Sequence, residues 1–248
     1  MRFMLTIWLC LISQLVFGGA DYAREKKWAD EIIPGIVVGD PVYLELKPGL
    51  ELKRGHKFLS LLTTAPDAKT ALVVVHGLGI HPDWGMVGTL RTQLADLGYT
   101  TLSIQMPVLA NEAEGDQYVT TFPEAAARIA VAVDFLKAKG YKKIAIVSHS
   151  LGSRMSRVYV MKHQDQITGW ASLGIGGGDT YTGIKIPVLD LYGENDFPGV
   201  VKGAATRAAS LKSNAASKQV KVAKADHFFA NREAEMVKAV KTFMDTLR

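Results

Sequence analysis

Short apolar runs rich in Val, Ile and Leu alternate along this chain with longer segments whose apolar residues recur every three or four positions. The run 71–76 (Ala-Leu-Val-Val-Val-His) is almost continuously apolar, which is typical of a strand buried on both faces of a sheet. Segment 86–97 repeats apolar residues at helical spacing and ends at Gly98. Because such strands and helices alternate, the pattern predicts βαβ units and a mostly parallel sheet.

The same pattern along the whole chain predicts elements in the order β-β-β-α-β-α-β-α-β-β-α-β-α. The predicted strands cover residues 42–47, 57–63, 71–76, 100–105, 143–148, 167–175, 186–192 and 219–223. The predicted helices cover residues 86–97, 123–139, 151–163, 198–216 and 233–247. Residues 21–41 are polar and then interrupted by proline and glycine, so we interpret them as an N-terminal arm. We therefore predict one α/β domain over residues 42–248, with helices on both faces of its sheet.

The first twenty residues differ from the rest of the chain. Arg2 supplies a positive charge, residues 3–17 are mostly apolar, and residues 18–20 are small. This pattern is typical of a secretory signal peptide. The apolar stretch is shorter than the ~20 residues that a membrane-spanning helix needs. We expect cleavage after Ala20 and a periplasmic or secreted mature protein without a stable membrane span; anchoring through an uncleaved segment is the alternative.

Composition narrows the class of protein further. The hydrophobic content of 48% excludes intrinsic disorder, and the single cysteine excludes both a disulfide scaffold and a four-cysteine zinc site. A net charge of +5 without any Lys/Arg run is weak support for nucleic-acid binding. No spacing of histidines and acids resembles a zinc or calcium signature. We therefore expect no nucleic-acid partner, no metal and no cofactor.

The motif that carries chemistry is Ser148-His149-Ser150-Leu151-Gly152, between a predicted strand and a predicted helix. A strand, a sharp turn and a helix form the nucleophile elbow, which exposes a serine hydroxyl above the sheet. Small residues two positions before and after that serine let the strand and the helix approach closely. Ser148 stands where glycine is usual.

Together with three further motifs, this elbow resembles the α/β-hydrolase superfamily of serine hydrolases. His76-Gly77-Leu78-Gly79 follows a buried strand where the superfamily has its oxyanion loop, Gly193-Glu194-Asn195-Asp196 follows the strand that usually precedes its acid, and Asp226-His227 follows the last strand. The order Ser, Asp, His is the order of this fold. The chain looks most like uncharacterised exported α/β-hydrolase-like proteins of proteobacteria.

The resemblance implies a role for each matching residue. Ser150 is the nucleophile, His227 the general base and Asp196 the residue that orients the histidine. The backbone N–H groups of Leu78 and Leu151 form the oxyanion hole. For the acid, Glu194 and Asp179 remain rivals of Asp196. The residues expected to line the cleft are His76, His81, His149, Trp84 and Tyr181.

The resemblance also implies a mostly parallel α/β-hydrolase sheet without a substantial lid. Many members insert a helical lid between the strands that here end near Ile175 and begin at Ile186, and the short intervening segment leaves no room for one. We expect the loop 106–122 to cover the site instead.

The predicted activity is that of an exported serine hydrolase, esterase-like, which cleaves an ester, thioester or related acyl bond of a small-molecule or envelope-derived substrate through an acyl-enzyme. Two alternatives stay open. One is a non-catalytic envelope binding or assembly protein with the same fold, and the other is an acyltransferase with the same triad.

Overall fold

The computed structural model describes residues 19–49 and 55–247. Most of the predicted signal segment, residues 1–18, lies outside the described residues. From residue 40 onward the observed order of strands and helices is the predicted one. The described part adds a helix in the N-terminal arm, for which the apolar pattern predicts no element.

Eight strands form the sheet. They are β1 Asp40–Leu46, β2 His56–Thr63, β3 Thr70–Val75, β4 Thr100–Ile104, β5 Lys143–His149, β6 Gly169–Leu173, β7 Val188–Gly193 and β8 Lys218–Val222. The α-helices are α1 Tyr22–Ile32, α2 Gly85–Asp96, α3 Phe122–Ala138, α4 Leu151–Lys162, α5 Pro198–Leu211 and α6 Glu233–Asp245. Short 3₁₀ turns lie at Ile33–Gly35, Gln117–Thr121 and Gln164–Gln166.

The strand order across the sheet is β1-β2-β4-β3-β5-β6-β7-β8. β2 pairs antiparallel with both β1 and β4, and every other pairing is parallel. Residues of α3 and α4 build the core on one face, and residues of α2 and α6 build it on the other. The predicted α/β class and mostly parallel sheet are therefore confirmed. Because the central strands are parallel, the loops after β3, β5, β7 and β8 meet at one edge of the sheet, where such folds bind ligands.

Two predicted elements end beyond the observed ones for an identifiable local reason. The strand predicted over 167–175 ends at Leu173, because Gly174 has a φ of 59° and turns the chain out of the sheet. The helix predicted over 198–216 ends at Leu211. There the Asn214 side chain accepts a hydrogen bond from the backbone N–H of Ala216, a local bond that competes with the helix.

Helix α1 is attached to the domain by buried charges in addition to a small apolar cluster around Ala29. Asp21 caps it by accepting a hydrogen bond from the backbone N–H of Arg24. Glu25, which is 4% exposed, receives two hydrogen bonds of 2.9 Å from the guanidinium of Arg128 on α3. His56 lies 3.1 Å from the same carboxylate. A helix that packs through a glutamate carries little apolar signal, which is why the hydrophobic pattern misses it.

None of the helices in the described part of the chain is long and apolar enough to cross a membrane.

The buried pair predicts a large difference between two glutamates of α1. Glu25→Ala leaves the Arg128 guanidinium short of a carboxylate inside the protein and is expected to lower the free energy of unfolding by about 3 kcal/mol. Glu31→Ala is the matched control, because Glu31 is exposed and lies 3.8 Å from Lys27; its cost is expected to stay below about 0.5 kcal/mol. Urea unfolding of both variants measures the difference. Equal effects would contradict the assigned role of Glu25.

Candidate active site

Ser150 occupies a strained turn between β5 and α4. Its φ of 55° and ψ of −124° are unusual for a residue other than glycine. Two residues later, a Cβ on Gly152 would lie 2.2 Å from the carbonyl oxygen of His76, so only glycine fits. The turn therefore has the geometry of a nucleophile elbow, and α4 begins at Leu151, the residue after Ser150.

Ser148, at the position where this elbow usually has glycine, has hydrogen-bond partners inside the protein. Its hydroxyl accepts a hydrogen bond of 2.7 Å from the indole N–H of Trp170 and lies 3.0 Å from the hydroxyl of Ser153. All three residues are buried. A buried indole N–H needs an acceptor, and Ser148 supplies it.

Three side chains from separate loops form one chain of hydrogen bonds. The Oγ of Ser150 lies 2.8 Å from Nε2 of His227, and Nδ1 of His227 lies 2.5 Å from Oδ1 of Asp196. Asp196 is held in turn by the backbone N–H of Phe197, 2.7 Å from Oδ1. Asp196 follows β7 and His227 follows β8, so the parallel sheet brings them to the end of β5. The arrangement can pass a proton from a hydroxyl to an imidazole.

The two rival acids do not contact His227. Asp179 accepts a hydrogen bond of 2.9 Å from Nε of Arg154. Glu194 is exposed and accepts a hydrogen bond from the backbone N–H of Lys224, which lowers the pKa of its carboxyl below the ordinary value. Both acids are therefore engaged elsewhere.

The loop after β3 lies against the elbow. A Cβ on Gly77 would be 3.1 Å from the Cβ of Ser150, so glycine allows this close approach. His76 anchors the loop, since its Nε2 accepts a hydrogen bond of 2.9 Å from the backbone N–H of Met106. Burial lowers the pKa of His76 to about 3, so its imidazole is neutral.

Two residues that line the same cleft as Ser150 have backbone N–H groups without an acceptor in the described protein. Leu151 is the first residue of α4, so its N–H has no acceptor within the helix. Leu78, in the loop after β3, lines the same cleft as Ser150. Within the described ranges, neither N–H donates a hydrogen bond to another protein group. Both remain available to an oxygen atom of a ligand.

His149 supports the backbone of His227. It is fully buried, and this burial lowers its pKa to about 3, so the ring is neutral. Its Nε2 donates a hydrogen bond of 2.9 Å to the carbonyl oxygen of His227, and the two rings lie 4.7 Å apart. His149 therefore acts from behind the site rather than as part of the cleft wall.

The Ser150 hydroxyl and His227 open into a cleft of about 250 Å³. Its wall is mostly apolar and includes Leu78, Phe197 and Val200. The loop 106–122 contributes Gly115, while the connection from β6 to β7, residues 174–187, contains no helix. The expected absence of a lid over this part of the fold is confirmed.

Tyr181 does not line the cleft, contrary to the sequence-based expectation. After the glycine-rich turn the chain returns to the sheet, so the ring is fully buried 5.4 Å from Trp170 and its hydroxyl donates a hydrogen bond to Asp190. His76 is likewise buried behind the loop that it anchors. His81 and Trp84 are not among the residues that line this cleft: the His81 ring lies 5.9 Å from the ring of Trp28, and the Trp84 ring lies 5.3 Å from that of Phe228.

Phe197 and Arg154 are among the cleft-wall residues that the sequence did not predict. The ring of Phe197 stacks on the imidazole of His227 with 4.1 Å between ring centroids, although Phe197 is 54% exposed. Arg154 lines the cleft from α4. The sequence position of Arg154 could have indicated that it lines the cleft, because a residue four places after Ser150 lies one helical turn further on the same face.

Comparisons with known proteins give limited sequence similarity. A family model described as a protein of unknown function (DUF3530) matches residues 51–127. Protein ABHD14A of Danio rerio is 27% identical over 131 residues, which cover 50% of this chain and 47% of that protein. The alignment thus spans about half the length of the curated relative.

Structural similarity extends over most of the chain. Est1E from Butyrivibrio proteoclasticus has a TM-score of 0.66 at 15% identity, covering 84% of this chain and 98% of that one. A serine hydrolase without lid from Xanthomonas campestris has a TM-score of 0.66 at 14% identity, with coverages of 85% and 95%. Dienelactone hydrolase from Anabaena variabilis has a TM-score of 0.63 at 18% identity, with coverages of 83% and 96%. At such low identity the likeness concerns architecture, and this chain has the α/β-hydrolase fold.

Proposed function

We propose that this protein is a serine hydrolase that cleaves an ester, thioester or related acyl bond. The observation that carries the proposal is the hydrogen-bonded chain from Asp196 through His227 to Ser150, whose hydroxyl opens into a cleft. Elbow strain, an imidazole nitrogen within hydrogen-bond distance and an orienting carboxylate are the features that activate a serine hydroxyl.

The proposed reaction begins when Ser150 Oγ attacks the acyl carbonyl carbon and His227 Nε2 takes the hydroxyl proton. The C–O or C–S bond to the leaving group then breaks, and the imidazolium returns this proton to the departing atom. A water molecule, deprotonated by the same nitrogen, attacks the acyl-enzyme, the bond between the acyl carbon and Ser150 Oγ breaks, and the imidazolium returns the proton to Oγ as the acid leaves. Asp196 keeps the Nδ1–H tautomer and stabilises the transient imidazolium.

The negative charge of the tetrahedral intermediate needs donors on the opposite side of the carbonyl. The backbone N–H groups of Leu78 and Leu151 are the proposed donors, and each donor of this kind contributes about 3 kcal/mol of transition-state stabilisation. Leu151 also begins α4, so the positive end of the helix dipole faces the oxyanion.

The size and polarity of the cleft favour small acyl substrates. A volume of about 250 Å³ accommodates a short acyl chain and a modest leaving group, and the wall is mostly apolar. Two of the similar structures carry the names of hydrolases, which supports the same class of reaction.

Covalent labelling tests the proposal directly. A fluorophosphonate probe is expected to label the wild-type protein at Ser150, because the activated hydroxyl attacks phosphorus as it would an acyl carbon. Ser150→Ala should abolish labelling, and Glu194→Gln, which alters an exposed acid nearby, should retain it. Peptide mass spectrometry locates the label. A folded wild-type protein that resists labelling would refute the proposal and favour a non-catalytic binding protein.

We further propose that the protein is exported with removal of residues 1–20. The support is the charged, apolar and small-residue order of that segment. Asp21 would then carry the new amino terminus, which lies 2.7 Å from the carbonyl oxygen of Val108 as an N–H donor. Intact-mass analysis of the protein from an expressing Gram-negative host is expected to give a chain that starts at Asp21. A chain that retains residues 1–20 would show that the segment is not cleaved.

A further inference from the structure

We infer that the cleft binds an anionic group, a carboxylate or a similar oxyanion, on the acyl substrate, and that Arg154 is the residue that selects it. The inference rests on the proposed function and adds to it a class of substrate. It follows from the position of Arg154, from the glycine-rich turn against which it lies, and from the charges around it.

Arg154 and Ser150 line the same cleft. Arg154 lies four residues further along the chain, on the first turns of α4, and its side chain is 21% exposed. A guanidinium in a partly desolvated apolar wall attracts a carboxylate more strongly than it would in open solvent.

The glycine-rich turn 174–178 provides the space for this guanidinium. Gly177 has a φ of 72°, and a Cβ there would lie 2.8 Å from Nε and 2.9 Å from Cζ of Arg154. Gly174, Gly176 and Gly177 all line the cleft. The run of glycines, which the proposed reaction alone does not explain, thus lets the cation approach the backbone closely at the edge of the site.

The charged neighbours of Arg154 do not occupy all of its N–H groups. Asp179 accepts a hydrogen bond of 2.9 Å from Nε of Arg154 and lies 3.9 Å from Nη1 of Arg157, so two cations share one carboxylate. Within the described ranges, the Arg154 side chain makes hydrogen bonds through Nε alone, and its Cζ lies 5.5 Å from the centroid of the Phe122 ring, so neither Nη group has a hydrogen-bond acceptor in the protein. Such a pair of N–H donors matches a carboxylate.

Two carboxylates, which would repel an anionic ligand, lie on the other side of the cleft, but they face solvent. Glu114 and Asp116 flank Gly115 and are both exposed. Exposed carboxylates are screened by water and salt, whereas the half-buried guanidinium is screened less. The remaining wall around Arg154 is apolar, with Leu151, Phe197 and Val200 offering no competing charge.

The test compares esters of similar size with and without a negative charge. The first pair is 4-nitrophenyl hydrogen succinate and 4-nitrophenyl butyrate, with the charge on the acyl side. The second pair is 4-acetoxybenzoate and 4-nitrophenyl acetate, with the charge on the leaving group. The measured quantity is the ratio of kcat/KM for the charged ester to kcat/KM for the neutral ester.

Arg154→Met is expected to lower this ratio about tenfold for at least one pair, as the loss of one charge-assisted contact predicts. Asp179→Asn should raise the ratio for that pair, because it releases the guanidinium from its carboxylate. Arg157→Met is the matched control: it removes the same charge from beside Asp179 without altering the cleft wall, and should change the ratio less than about threefold. Opposite effects of the first two variants are not expected from a purely structural role.

An unchanged ratio in Arg154→Met for both pairs would overturn the inference, as would an equal loss in Arg157→Met. Failure of the proposed function has a different signature, because the wild type would then hydrolyse none of the four esters. In that case calorimetric titration of Ser150→Ala with 4-nitrophenyl hydrogen succinate decides: binding that Arg154→Met weakens supports the anion site, and binding that Arg154→Met leaves unchanged overturns it.

Discussion

The tight turn at Ser150 is the constraint on which the rest of the site depends. A positive φ at a serine is costly, and it persists because the end of β5, the start of α4 and the loop after β3 are packed against one another. A Cβ on Gly152 would lie 2.2 Å from the carbonyl oxygen of His76, so only glycine fits there, and a Cβ on Gly77 would lie 3.1 Å from the Cβ of Ser150, a tight contact. The strain raises one hydroxyl above the sheet and leaves the first N–H of a helix beside it.

Buried histidines and charges hold the elements that surround this turn. His76 and His149 are neutral at ordinary pH because burial lowers both pKa values to about 3. Each therefore holds neighbouring backbone through a hydrogen bond and does not act as a base. On the outer side, Arg24 of α1 donates a hydrogen bond of 2.6 Å to the carbonyl of Leu109, at the start of the loop that contributes Gly115 to the cleft. The N-terminal arm thereby supports one wall of the cleft.

Much of the fold was predictable because its strands are buried on both faces and its helices carry apolar stripes. The run ending at His76 and the helix ending before Gly98 both follow from these rules. Helix α1 was not predictable in this way, since few of its residues are buried and one of them, Glu25, pairs with a residue 103 positions away. The order of the motifs along the chain predicted that Ser150, Asp196 and His227 come together. The burial of Tyr181 shows that the packing of loops, and hence the cleft wall, cannot be predicted from local sequence.

The central claim is that Asp196, rather than another nearby acid, orients His227 for reaction at Ser150. The most direct measurement is kcat/KM for 4-nitrophenyl acetate in Asp196→Asn and in Asp179→Asn. The account predicts a loss of roughly 10⁴-fold in Asp196→Asn, because the amide no longer holds the reactive tautomer, and a change within a few-fold in Asp179→Asn. Wild-type rates in Asp196→Asn, or the large loss in Asp179→Asn instead, would contradict it.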